Sequence, residues 1–226
     1  MRRLVIAALA IAAPAAADPS GPRVLTAPTA WLTGPGEAQA MLGVDHRGHA
    51  EARATYGLGG IAEAELGGDR DAGVTLGRAA VRIGLHQRAG LPALTLGARA
   101  SFAGPRFQIH DAYVVASRDL GVVRLHAGVD ALAFSAEDRH AARLRPLAGL
   151  ELHPPMYPRS SLIGDLAWQP ALAAADPKLA WLLGIGVRFQ ALPWASVELA
   201  VRSRQGEALG DSTVLLRVNA TLAKPR

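Results

Sequence analysis

Arg53, Arg78, Arg82, Arg99, Arg124, Arg188, Arg202 and Arg217 each follow glycine or an apolar residue in an alternating stretch, so that in an extended chain they share one face. By the same parity Glu51, Glu63, Glu65, Asp130, Glu151, Asp165 and Glu198 lie on that face too. A guanidinium binds a carboxylate through two parallel N–H bonds, so this near balance of charges points to pairing across an enclosed interior. Such an interior can bind or pass small ions. Arg53, Arg78, Arg82, Arg99, Arg124, Asp130, Arg188, Glu198, Arg202 and Arg217 are therefore the candidate solute-path residues.

Residue types suited to catalysis are sparse. Membrane-barrel lipases need a His and a Ser two apart on a strand, and no His-x-Ser occurs. There is no cysteine, which excludes a thiol nucleophile and thiolate-bound zinc. Asp45-His46-Arg47-Gly48-His49 offers two imidazoles and a carboxylate around a tight hairpin, but no third ligand follows, so a polar loop tip is expected there. His126, beside Arg124 and Asp130, is read as a hydrogen-bonded interior histidine. The glycines from Gly57 to Gly60 do not open a helix, which removes a phosphate cradle. No catalytic residue, metal or cofactor is expected. The net charge of +5 does not indicate nucleic acid, because charges of both signs are interspersed and no series of stacking aromatics accompanies them.

The elements that must position these charges are strands. Ala79, Val81, Ile83 and Leu85 alternate with Arg78, Ala80, Arg82, Gly84 and His86, and the same two-residue period recurs to the end of the chain. The pattern predicts twelve strands, at roughly 37–46, 49–58, 61–67, 74–86, 92–102, 106–117, 122–132, 144–152, 161–169, 179–190, 194–203 and 212–222. The parity of 106–117 is open, and a bulge is one way to resolve it. Short turns at Gly59-Gly60, 88–91, 119–121 and 191–193 alternate with longer links at 68–73, 133–143, 170–178 and 204–211. Short turns on one side and long loops on the other are the plan of an outer-membrane barrel. Arg47-Gly48, Gly104-Pro105 and the longer link 153–160 depart from it. In that link Pro154-Pro155-Met156-Tyr157-Pro158 makes a stiff turn.

The start of the chain sets the compartment. Arg2-Arg3, the apolar run Leu4 to Ala13 and Ala15-Ala16-Ala17 have the order of a secretory signal, so 1–17 is expected to be removed. Residues 18–36 are expected to lie in the periplasm and 37–226 to form the barrel. No later segment has the ~18 apolar residues of a membrane helix. Phe102, Phe107, Trp168 and Trp181 fall at strand ends sent outward, and Tyr56, Phe189 and Trp194 at ends sent inward, which predicts two aromatic girdles at the lipid boundaries. The final strand ends in Ala220-Thr221-Leu222, without the terminal aromatic many such barrels carry.

Two stretches resemble a known family. Leu25-Thr26-Ala27-Pro28-Thr29-Ala30 with Pro35-Gly36 is similar to the entry to the first strand in YjbH-type, exopolysaccharide-associated outer-membrane barrels. Gly57-Leu58-Gly59-Gly60-Ile61-Ala62-Glu63 resembles their second turn. The likeness covers about 40 residues and implies a barrel, with cell-envelope polysaccharide as a partner.

The sequence thus predicts a closed antiparallel up-and-down barrel of about twelve strands in the outer membrane. Lipid would surround it, and the barrel-assembly machinery would insert it. The expected function is a narrow passive channel for small solutes, anions among them, or a structural barrel. A soluble periplasmic barrel or sandwich holding a lipid-like ligand is the alternative.

Overall fold

The computed structural model describes residues 23–71, 74–86, 91–103, 107–136, 139–170 and 179–222. The expected leader, 1–17, lies outside them. Twelve strands follow one another: β1 (Ala38–Asp45), β2 (Ala50–Leu58), β3 (Ala62–Asp71), β4 (Val74–His86), β5 (Ala93–Phe102), β6 (Phe107–Asp119), β7 (Val123–Ala136), β8 (Arg139–Leu152), β9 (Ser160–Pro170), β10 (Leu179–Leu192), β11 (Ala195–Arg204) and β12 (Thr213–Leu222). Each pairs antiparallel with the next, and β1 closes on β12 from Ala38↔Leu222 to Asp45↔Leu215. The sheet is a closed up-and-down barrel without an edge.

The alternation that predicts the strands also decides which face turns in. In β2, Glu51, Arg53 and Thr55 are buried, whereas Ala52, Ala54 and Tyr56 face out. In β10, Leu183, Ile185, Val187 and Phe189 face out while Arg188 is buried. Ile185 is 62% exposed and Arg217 only 2%. A water-soluble protein does the reverse, so this inside-out distribution is stable only where the outer solvent is hydrocarbon. Ile185 lies midway between the boundary residues Trp181 and Phe189. Ile185→Arg is expected to cost ~2–4 kcal/mol of folding free energy in lipid, the value for a cation at the midplane. Urea titration of refolding into phospholipid vesicles measures it, and a cost near zero would place that face in water.

The aromatics expected at the boundaries differ in where their side chains stand. Tyr56, Phe102, Phe189 and Trp194 project outward, about half exposed, and Trp181 is half-buried. Trp168 stands opposite Trp181 in the ladder, and its side chain lies outside the described residues. Phe107 does not belong to a girdle. It shares parity with Ile109 and packs inward against Phe134, ring centroids 5.3 Å apart, beside Leu132.

Strand β6 resolves its open parity without a bulge. Its ladders to β5 and β7 are unbroken, and Ile109, Asp111, Tyr113, Val115 and Ser117 all turn inward. Irregularities fall instead at Gly84/His86 and Gln190/Leu192. The links expected at 68–73 and 133–143 are largely strand, because β3 continues to Asp71 and β7 and β8 run 14 residues each.

One ladder is incomplete. Strands β8 and β9 pair only from Ala148↔Leu166 to Leu152↔Leu162, although β8 starts at Arg139 and β9 extends to Pro170. The ladder from β8 to β7 runs past Pro146 without a break. Proline has no N–H to donate, and the β9 ladder stops two residues short of it.

Candidate functional site

The described part of the segment expected in the periplasm, residues 23–36, runs inside the barrel. Upstream of β1 the chain bends back, with Glu37 N donating to Gly34 O at 3.0 Å and Gly36 N to Gly57 O at 2.9 Å. A Cβ on Gly57 would stand 2.0 Å from Gly34 O, so only glycine lets the chain pass this point of the wall.

Residues 23–33 form no regular ladder, yet their backbone polar groups are buried and need partners. The wall supplies them. Thr33 N donates to Glu63 at 2.8 Å, and Arg82 donates to Thr29 O and Trp31 O at 2.9 and 3.0 Å. Thr95 Oγ1 donates to Ala30 O at 2.6 Å, and Ala30 N to Ser117 Oγ at 2.7 Å. Arg188 Nη2 donates to Arg23 O and Val24 O at 3.1 and 2.8 Å.

Within the lumen the N–H groups of Leu25, Thr26 and Ala27 converge on Asp165 Oδ2, at 3.2 Å from Leu25 and 2.6 Å from Ala27. Three successive amides around one carboxylate oxygen form an anion nest. Arg23 meanwhile holds Glu65 at 3.0 and 3.2 Å. Glu65 is on β3 and Asp165 on β9, half a turn apart in a ring of twelve strands, so the segment bridges opposite walls. It is a plug.

Around the plug the charged face forms the ladders the sequence implies. Arg217 bridges Glu51 at 2.7 Å and Glu198 at 2.9 Å. Arg188 bridges Glu198 at 2.7 Å and Glu151 at 3.0 Å. Arg53 reaches Glu51 at 2.9 Å and Asp69 at 3.6 Å, Arg78 pairs with Asp69, and Arg202 stands 3.8 Å from Glu51. Arg82 takes Glu63 at 2.5 Å and Arg99 takes Asp111 at 2.7 Å. Asp130 pairs with Arg145. Arg124 sits apart at the turn end of β7, bonded to Asp119 at 2.9 Å and stacked over the Trp31 ring at 5.2 Å.

All ten expected lumen residues thus have partners within or at the mouth of the barrel. Arg145, Asp111, Asp69 and the plug's Arg23 belong to the same system but are absent from the set read from sequence. Arg145 keeps step with Glu151 in β8, and that parity could have found it.

The structure also brings together groups far apart in type and sequence. Ser117 Oγ lies 2.8 Å from His126 Nδ1, and Glu151 Oε1 lies 3.3 Å from His126 Nε2. Serine, imidazole and carboxylate in that order can perform acyl transfer. Here the Ser117 hydroxyl accepts the Ala30 N–H, and the Trp31 ring meets His126 edge-on at 5.0 Å. The trio anchors the plug. His49 Nδ1 lies 3.7 Å from Asp45, and among the described residues no cluster of three metal-ligating side chains occurs.

On the far side of the plug from the short turns lies a cavity of about 70 Å³. Arg23, Thr26 and Pro28 of the plug border it. One wall carries Arg53, Asp69, Arg78, Arg99 and Tyr113, and the other carries Ile109, Leu132, Leu147 and Ala167 together with Asp111 and the paired Asp130 and Arg145. Nε and Nη1 of Arg53, Nε of Arg78 and the Tyr113 hydroxyl are buried without a hydrogen-bond partner. Guanidinium donors on one side, and aliphatic side chains interleaved with paired charges on the other, make this vestibule amphipathic.

No protein-family model matches the chain, and no curated protein matches it. Its fold matches solved porins. The KdgM porin superposes with a TM-score of 0.59 at 4% identity, over 83% of this chain and 98% of that one. The KdgM porin in complex with disordered oligogalacturonate gives 0.58 at 4% identity over the same shares. The NanC porin gives 0.58 at 12% identity, over 82% of this chain and 99% of that one. The likeness to YjbH-type barrels gains no support from these matches. With identities this low the likeness is one of architecture, and the architecture is that of an outer-membrane, porin-like β-barrel.

Proposed function

We propose that this protein is an outer-membrane channel for small solutes that is held closed by its own residues 23–36. The observation that carries this reading is the plug itself, bonded to both sides of the lumen through Glu65 and Asp165. Val24, Leu25, Ala27 and Ala30 of the segment are buried against apolar wall residues, while its main chain is tied to the wall by hydrogen bonds to charged and hydroxyl groups, which water can replace when it withdraws.

Five arginines against three aspartates border the vestibule, which favours anionic solutes by electrostatic selection. The KdgM porin forms a complex with oligogalacturonate, an acidic oligosaccharide, and a cell-envelope polysaccharide fragment of like charge fits the same selection here. The apolar belt takes outer-membrane lipid, and insertion falls to the barrel-assembly machinery. The outward aliphatic surface opposes the soluble alternative.

The chain has no cysteine, so a designed pair is unambiguous. Ala30→Cys with Ser117→Cys puts one thiol in place of the Ser117 hydroxyl and the other on the residue whose main-chain N–H now donates to that hydroxyl at 2.7 Å. In planar bilayers the oxidised pair is expected to be silent, and reduction to produce openings with anion preference. Openings that persist in the oxidised form would refute the plug as the gate. Silence in both forms would leave a structural barrel.

A further inference from the structure

We propose that the vestibule also opens sideways, through the incomplete β8–β9 ladder, and that it takes a single-chain amphiphile with an anionic head from the surrounding bilayer. The inference rests on the barrel's place in a membrane, not on the plug being a gate.

Three observations meet at one place. First, main-chain pairing between β8 and β9 ends at Ala148↔Leu166, and the next residues toward the long-loop end, Leu147 and Ala167, have no ladder partner across the seam among the described residues. Pro146 removes the donor that could extend the ladder. Lipid does not tolerate unpaired main chain, so polar matter must reach this stretch from the vestibule side.

Second, the seam and the vestibule are contiguous. Leu147 and Ala167, one on each flank, both border the cavity. On β9 the unpaired stretch runs from Ala167 to Pro170, the level at which Trp181 marks the lipid boundary across the β9–β10 ladder.

Third, the opposite wall offers unsatisfied donors. Arg53 is 8% exposed, and its Nε and Nη1 have no acceptor; the same holds for Arg78 Nε and the Tyr113 hydroxyl. These donors require an acceptor, and a carboxylate or similar anionic head supplies several lone pairs.

The cavity's size fixes the shape of the ligand. A volume of about 70 Å³ holds a head group and the first methylenes, not a coiled acyl chain. The rest of the chain must leave over Ile109, Leu132 and Leu147 and pass into the outer part of the bilayer between Leu147 and Ala167, whose buried side chains part to admit it. A headgroup bound by arginine and a tail that stays in lipid need no passage through the plug.

The test uses the whole protein in phosphatidylcholine nanodiscs with a diazirine-bearing palmitate, followed by mass mapping of the labelled peptides. Labelling is expected to concentrate on 139–147 and 161–169. Oxidising a Leu147→Cys/Ala167→Cys pair should lower it there at least tenfold, and reduction of the same sample should restore it, which controls for folding. Arg53→Gln with Arg78→Gln should lower palmitate labelling at least fivefold while leaving labelling by the matching diazirine alcohol unchanged. Label spread evenly over the apolar belt, insensitive to the lock, would overturn the proposal. Competition by butyrate as strong as by palmitate would also overturn it, by reducing the site to one for free anions. No ion flow is measured, so the result stands apart from the conductance of the channel.

Discussion

Arg217→Ala is expected to destabilise the barrel by about 3–5 kcal/mol, the range for removing one partner of a buried ion pair. Arg217 is 2% exposed and is the shared cation of Glu51 and Glu198, each themselves nearly inaccessible. Alanine would leave two carboxylates facing each other with their nearest joint counter-ion gone. Arg53 and Arg202 still approach Glu51, and Arg188 still holds Glu198, so the site is weakened rather than emptied. Lysine keeps the charge but cannot bridge both acids with a planar fork, so Arg217→Lys should fall between wild type and alanine. Arg217→Met combined with Glu198→Gln should recover part of the loss, since it removes charge from both sides. Refolding into vesicles over a urea series, read by the heat-dependent mobility shift on gels, measures all three. A loss under about 1 kcal/mol for alanine would mean that water reaches Glu51 and Glu198 in the folded barrel.

Asp165→Ala should release the plug while leaving the wall intact. It deletes one acceptor shared by three amide donors, and hydrogen bonds to a charged group contribute ~1.5–3 kcal/mol each. Allowing for water taking the vacated places, the docked state should weaken by roughly 4 kcal/mol, about a thousandfold in the equilibrium between docked and released plug. The readout is built into the chain, because Arg23 is followed by Val24 and is a tryptic site buried in the docked state. In the wild-type protein cleavage after Arg23 should be slow, and in the variant rapid, with the barrel surviving as a heat-shifting band. Bilayer openings should increase in parallel. Asp165→Asn retains the acceptor without its charge and should give an intermediate rate. Continued protection of Arg23 in the alanine variant would show that Arg188 and Arg82 hold the segment without the nest.

The strands were legible because a barrel in lipid writes its two faces directly into alternate residues. All twelve appear within a few residues of their expected ends, and Arg53, Arg82, Asp130, Arg188, Glu198, Arg202 and Arg217 are buried on the face that parity gives them. Legibility failed where one face was mixed. In β6 the inward residues Ile109, Tyr113 and Val115 are as apolar as their outward neighbours, so alternation there hides the inward face of Asp111 and Phe107. Strands β7 and β8 continue beyond the bilayer, where lipid no longer selects apolar residues, and 133–143 therefore read as loop. The plug was invisible for a different reason. Its partners are Glu63, Thr95, Ser117, Asp165 and Arg188, up to 165 residues distant, and its own small residues and prolines carry no period. The charged face announced an interior, but not what fills it.

Chain order gives the closing ladder a consequence for how the molecule is made. Apart from Gly57 of β2, which accepts from Gly36 N, the described wall residues bonded to the main chain of the plug belong to β3 through β10, whereas the wall is sealed by β1 meeting β12, the first strand and the last. The plug is joined directly to β1, so it is present on the growing sheet while that sheet is still an open ribbon. It can be laid across the inner surface before the two ends meet, like a casting around which the mould is folded. Threading a preformed cylinder through its mouth is unnecessary, and the last step of assembly is the zipping of eight residue pairs over a cargo already in place.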